Sequence, residues 1–175
     1  MKKVLGTMNN RVNGNPEQLT YDLLMPLMVA PFTVAVTIGS MKKDSHPAKA
    51  ACPCDSGQTY GDCCGPWHAG LTHGQHAPTP EALMRSRYSA YVLGLISYLL
   101  ATWHASTSPG ELELSPVKWL GLEVRHTEVS GDAGVVEFVA RWRDNGRAVR
   151  LHELSRFVRE DGRWTYIDGQ LQDAG

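Results

Sequence analysis

From Thr79 onward the apolar positions fall into two regimes. Leu83, Met84, Tyr88, Tyr91, Val92, Leu95, Ile96, Leu99 and Trp103 recur at steps of three and four, the spacing of one helical face. Thr79 suits the N-cap, Pro80 the first helical position and Glu81 the positive end of the helix dipole. Gly94 interrupts the stripe and predicts two helices meeting at an angle, and Pro109-Gly110 ends the helical region. After Pro116 the pattern changes. Residues 117–129, 135–143, 148–159 and 163–168 are rich in β-branched and aromatic side chains, and Gly131-Asp132, Asp144-Asn145-Gly146 and Asp161-Gly162 separate them as turn signals. Consecutive strands with short turns imply an antiparallel meander. Helices first and strands second imply an α+β domain over residues 79–170, with a curved antiparallel sheet packed on the preceding helices.

Residues 1–40 follow neither pattern. An Asn-rich start precedes an apolar run from Leu23 to Ile38, broken by Pro26 and Pro31. The run is shorter than the roughly 20 residues that cross a bilayer. Met41-Lys42-Lys43 resembles a second protein start, so residues 1–40 read as a disordered extension from an upstream start; a cleaved signal is the alternative. Residues 41–51 form a polar linker. With 17 basic and 18 acidic residues in 175, the chain lacks the basic surplus of a nucleic-acid binder. Arg141, Arg143, Arg147 and Arg150 read as a solvated edge of the sheet.

The four cysteines all fall between positions 52 and 64, as Cys52-Pro53-Cys54 and Cys63-Cys64. Four thiolates suffice for one tetrahedral Zn²⁺, and the intervening residues, with Gly57 and Gly61, can loop out and return. Iron is the competing metal for soft ligands. Disulfides are the other reading, but adjacent Cα atoms lie about 3.8 Å apart, below the 4.4–6.8 Å of most disulfides. Such clustering suits a reducing cytoplasm, and a closed shell of protein ligands makes the site structural. A loop this small has little core, so the metal would supply most of its folding energy.

The segment Cys52-Pro53-Cys54-Asp55-Ser56-Gly57-Gln58-Thr59-Tyr60-Gly61-Asp62-Cys63-Cys64-Gly65 closely resembles the SEC-C motif, named from the metal-binding tail of the SecA ATPase. That family usually has glycine where Asp55 stands and a basic residue near Gln58 and Thr59. The resemblance, over residues 52–68, implies a role in docking a protein partner. Beyond it, Leu83-Met84-Arg85-Ser86-Arg87-Tyr88, Thr102-Trp103-His104, Trp119-Leu120-Gly121-Leu122, Ser155-Arg156-Phe157 and Trp164-Thr165-Tyr166-Ile167-Asp168-Gly169 resemble a YchJ-like family of uncharacterised bacterial proteins. This implies a cone-shaped domain similar to nuclear transport factor 2 behind the metal knuckle.

Cones of this class often enclose a pocket, and polar residues in apolar stretches are the candidates to line it. Glu153, Ser155 and Phe157 share one strand face by alternation, and Trp164, Tyr166 and Asp168 share another. With both faces inward, Glu153 and Asp168 would bracket a pocket lined by Tyr88, Tyr91 or Trp103 and could transfer protons. The competing reading pairs Glu153 with Arg85, Arg87 or Arg156 and leaves the aromatics as core. His104 either does acid–base work or meets carbonyls at the helix end. Arg85 and Arg87 could hold an anion. No phosphate loop, nucleotide fingerprint, nucleophile elbow or zinc-hydrolase motif occurs. The expectation is a metal-binding adaptor with a protein partner at the knuckle. The alternative is a small-molecule-binding protein or enzyme using the cone. An exposed outer sheet face would suit a homodimer.

Overall fold

The computed structural model describes residues 46–172. The expectation for residues 1–40 lies outside them. Helix α1 spans Gly65–Gly70, α2 Pro80–Leu93 and α3 Ile96–Ala101. Strands β1 (Lys118–Ser130), β2 (Ala133–Asp144), β3 (Arg147–Glu160) and β4 (Arg163–Leu171) follow. They form one antiparallel sheet in the order β1-β2-β3-β4. The α+β architecture is therefore the one expected. Among the described residues no helix is long and apolar enough to cross a membrane.

Local chemistry explains the ends of α2. Thr79 adopts an extended conformation and its Oγ1 accepts from the Ala82 N–H at 3.1 Å, filling one of the helix's orphan donors. At the other end Gly94 sits at φ +69°, and Leu95 N–H donates to Ala90 O, the backbone pattern that closes a helix. The chain then re-enters α3 in a new direction. The β2–β3 turn has Asn145 at φ +47° and Gly146 at φ +82°; the β3–β4 turn has Asp161 at +50° and Gly162 at +76°. Two successive positive φ values match the twist of the strands they join.

One sheet face receives α2. Leu83, Met84 and Tyr88 pack with Leu122, Val136, Phe138, Ala140, Phe157 and Trp164. A smaller cluster joins Ala90, Tyr98 and Leu99 to Leu95 and the post-helix residues Leu112 and Leu114. The other face is polar, with Arg141 on Glu123, His152 on Glu137 and Arg156 on Asp168. Register shifts interrupt the ladders between Trp119 and Gly121, between Val124 and His126, and opposite Arg156–Phe157. Each extra residue bends its strand and increases its local twist.

Candidate metal centre

The knuckle is a tight loop that returns on itself. Cys52 N–H donates to Gln58 O at 2.9 Å, Ala51 bridges Thr59, and Asp55 N–H returns to Cys52 O at 3.2 Å. Cys63 N–H then donates to Tyr60 O, placing Cys63-Cys64 back beside the first pair. The four Sγ atoms lie within 4.8 Å of one another. Cys52 and Cys54 sulfurs are 3.4 Å apart, Cys54 and Cys63 3.6 Å, Cys63 and Cys64 3.8 Å. A tetrahedron with metal–sulfur bonds of about 2.3 Å has edges of about 3.8 Å, so these thiols fit around one ion. They are far longer than the roughly 2.05 Å of a disulfide bond, and all four cysteines are free.

Electrostatics makes the cluster a cation trap. The Cys64 thiol, hydrogen-bonded to Cys54, is the largest influence holding the Cys54 thiol down at about 4, against the opposing effect of burial. The same hydrogen bond, and then burial, drive Cys64 upward, while burial pushes Cys63 up to about 11. Cys54 is thus favoured as the thiolate, while Cys63 and Cys64 favour the protonated thiol. A divalent ion displaces those protons on binding.

The knuckle is built into the α+β domain. Cys52, Cys54 and Cys64 are buried in the same core as Leu83, Met84 and Tyr88. Arg85 on α2 donates Nη1–H to Cys54 O at 3.2 Å, and its Nε–H meets Glu81 at 2.8 Å. Tyr60 O–H donates to His68 Nδ1 at 2.7 Å, because His68 Nε2–H is committed to Ser86 O at 2.9 Å. Asp55 stands at φ +55°, a backbone region that glycine adopts freely and that Asp tolerates better than most residues. Its Oδ2 accepts from Leu122 N–H on β1 at 3.2 Å. Gly121 makes room: a Cβ there would lie 2.6 Å from that oxygen. The departure from the motif's usual glycine therefore gains a strut to the sheet. Ser89, buried on α2, also reaches the sulfurs.

The cone interior differs from the sequence expectation. Glu153 is buried and faces α2, where Ser155 Oγ–H donates to Oε1 at 2.6 Å and Tyr166 O–H at 3.4 Å. Burial, the largest influence, raises its pKa above the usual carboxylate value. Asp168 does not join it. The bulge between β3 and β4 pairs Phe157 with Tyr166 but Arg156 with Asp168, so alternation is broken and Asp168 lies on the outer face, held by Arg156. The bracketing pair of carboxylates is not formed.

Arg85 belongs to the knuckle rather than the cone. Arg87 is the cone's cation: only 3% exposed, it donates to Leu99 O at 2.8 Å and Thr102 Oγ1 at 2.9 Å. Its guanidinium also lies 5.0 Å from the Trp103 ring centre and 4.5 Å from that of Tyr166. Tyr88 and Tyr91 pack against Trp119 as core aromatics. His104 leaves the helix-end carbonyls alone. Its backbone N–H donates to Tyr166 O at 2.7 Å, and its ring sits with Ser106 and Glu160 outside the cone.

Sequence reasoning missed His68, Trp67 and Ser89. A signal existed for Ser89, which lies with Ser86 among the apolar positions of the helical stripe.

Comparison with known proteins follows the same division. Residues 79–169 match the family described as "YchJ, middle NTF2-like domain", and residues 49–66 match the SEC-C motif. A UPF0225 protein of Bordetella bronchiseptica is 56% identical over 136 residues, covering 75% of this chain and all of that protein. One from Chromobacterium violaceum is 53% identical, covering 73% of this chain and 97% of the relative. The solution structure of a SEC-C motif containing protein from Rhodopseudomonas palustris has a TM-score of 0.61 at 37% identity, covering 70% of this chain and 98% of that one. A crystal structure of another from Psychrobacter arcticus gives 0.60 at 29% identity, with 73% and 86% covered. The chain therefore belongs to the YchJ-like family of UPF0225 proteins, in which a SEC-C motif leads into an NTF2-like domain.

Proposed function

We propose that Cys52, Cys54, Cys63 and Cys64 hold a structural zinc ion and that the protein is a cytoplasmic adaptor whose metal knuckle docks a partner protein. The convergence of four sulfurs within 4.8 Å carries this reading. Soft thiolates suit zinc, with iron the competing occupant. Four protein ligands leave no open position for a substrate, so the ion orders the loop.

A groove of about 410 Å³ runs beside the centre, lined by Ser56, Gln58, Asp62, Cys63, Trp67 and Glu81 among others. Trp67 offers an aromatic anchor and Gln58 and Glu81 a polar rim, the ingredients of a docking surface for a peptide segment. Cys63, less buried than the other ligands, forms part of its floor.

Elemental analysis of protein purified under reducing conditions should find one zinc per chain, and none in a Cys63→Ser, Cys64→Ser variant. Partner recovery should fall in that variant and in Trp67→Ala, which leaves every ligand in place. Equal recovery from all three proteins refutes the adaptor reading while leaving the metal site standing.

A further inference from the structure

Ser89 is fully buried in the middle of α2, outside the matched SEC-C segment. Its Oγ lies 3.3 Å from Cys64 Sγ and 3.7 Å from Cys52 Sγ. A serine inside a helix commonly turns its hydroxyl back to its own backbone. Ser86, one turn earlier, does so toward Leu83 O at 2.8 Å. Ser89 points its hydroxyl across to the sulfurs instead. Alanine would be the better helix former by about 0.5 kcal/mol and would leave no polar atom in the core.

The chemistry of the neighbours explains the hydroxyl. Four thiolates around one divalent ion carry a net double negative charge. Cys54 and Cys64 are at most 1% exposed, so water cannot spread that charge. A buried donor aimed at a thiolate forms a charge-assisted hydrogen bond, stronger than a neutral one. Such outer partners commonly tune metal affinity 10–100-fold. Ser56 gives Cys63 a comparable contact at 3.2 Å, but from within the knuckle. Ser89 comes from the other side of the molecule's construction.

We propose that Ser89 is a positioning residue of the metal centre, its hydroxyl donating to the Cys64 thiolate, so that the NTF2-like domain completes a site whose ligands all come from the SEC-C motif. This rests on the metal reading above. A hydroxyl has a single hydrogen, so the nearer sulfur receives it and Cys52 gains only the residual dipole. The helix that forms the domain's core thereby becomes an element of metal recognition, and the motif severed from α2 holds its ion more weakly.

The test uses the full chain and cobalt(II) as a visible stand-in for zinc. Wild type and Ser89→Ala are titrated with cobalt under reducing conditions, and zinc affinity is measured by competition with a chromophoric chelator. Removing the donor raises the energy of the sulfur lone pairs, so the thiolate-to-cobalt charge-transfer band of Ser89→Ala should move to longer wavelength. Its zinc affinity should fall about tenfold. Circular dichroism should match wild type, since alanine fits the site and favours the helix. If wild type binds one ion per chain and Ser89→Ala shows the same band, the proposal is overturned, even where affinity drops, because packing alone would then explain the loss. If wild type takes up no cobalt or zinc, the metal reading itself fails and takes this inference with it.

Discussion

Asp55 offers a sharp quantitative check on how the knuckle is fastened to the sheet. Two features oppose each other there: a left-handed backbone at φ +55°, and a carboxylate that accepts from Leu122 N–H at 3.2 Å. Left-handed backbone costs an ordinary residue about 1 kcal/mol, and less for Asp or Asn, whose short polar side chains bond locally. A hydrogen bond to a charged acceptor contributes about 1.5–3 kcal/mol, and we take about 1 because Asp55 is exposed. Asp55→Asn keeps both the acceptor and the backbone tolerance, so it should lie within about 0.5 kcal/mol of wild type. Asp55→Gly loses the bond and adds unfolded-state freedom but removes the strain, giving about 1 kcal/mol of destabilisation. Asp55→Ala loses the bond and keeps full strain, giving about 2 kcal/mol. Urea unfolding of the metal-loaded protein, followed by tryptophan fluorescence, reads the series directly. The reasoning fails if alanine and glycine are equally stable, since strain would then be irrelevant. It fails too if asparagine is as damaging as alanine, since the strut would then not be the hydrogen bond.

Three further outcomes are expected. Burial holds the Glu153 carboxyl above its ordinary value of 4.5, so the folded chain binds more protons than the unfolded one between those two values. The associated stability is fully present below the unfolded pKa and drains as pH rises through the folded one. Glu153→Gln should therefore gain on wild type as pH rises above the unfolded carboxyl value in parallel denaturant melts, and a pH-independent difference contradicts the assignment. Arg87→Lys cannot keep both acceptors and both ring contacts, and should lose about 2 kcal/mol by thermal melting, whereas a loss under about 0.5 would mean the guanidinium geometry is immaterial. Asp168→Asn breaks only a half-exposed pair with Arg156, with side chains 40% and 53% exposed, and should change stability by less than about 1 kcal/mol. A large loss would show that Asp168 acts inside the cone after all.

What the sequence made legible was whatever rests on local chemistry. Thr79, Pro80 and Gly94 bound α2 because caps and left-handed glycines act within one turn. Asn145-Gly146 and Asp161-Gly162 set their hairpins because two positive φ values fit few residue types. The cysteine spacing revealed the metal cluster because its ligands close over a short loop. The Glu153–Asp168 pocket failed for a matching reason. Face assignment by alternation presumes an unbroken register, and a single extra residue near Ile167 turns Asp168 outward. Nothing in Tyr166-Ile167-Asp168 marks a bulge in advance; with the shift in place Tyr166 lies against Phe157 and Arg87.

The fastening of knuckle to domain was hidden for a different reason. Cysteine spacing describes a loop that closes on itself and suggests a bead tied to a separate fold. Each strut that contradicts this is a long-range contact with an ordinary residue: Asp55 to Leu122, Arg85 to Cys54 O, His68 to Ser86 O. Their consequence is energetic. A free knuckle would lose only its own loop when its ion is removed. Here Cys52, Cys54 and Cys64 line the same core as Leu83, Tyr88 and Trp164, so losing the proposed ion would loosen a part of the core that packs against α2. Helix and knuckle are then expected to lose stability together, so chelation should lower the melting temperature of the whole domain and not of the loop alone.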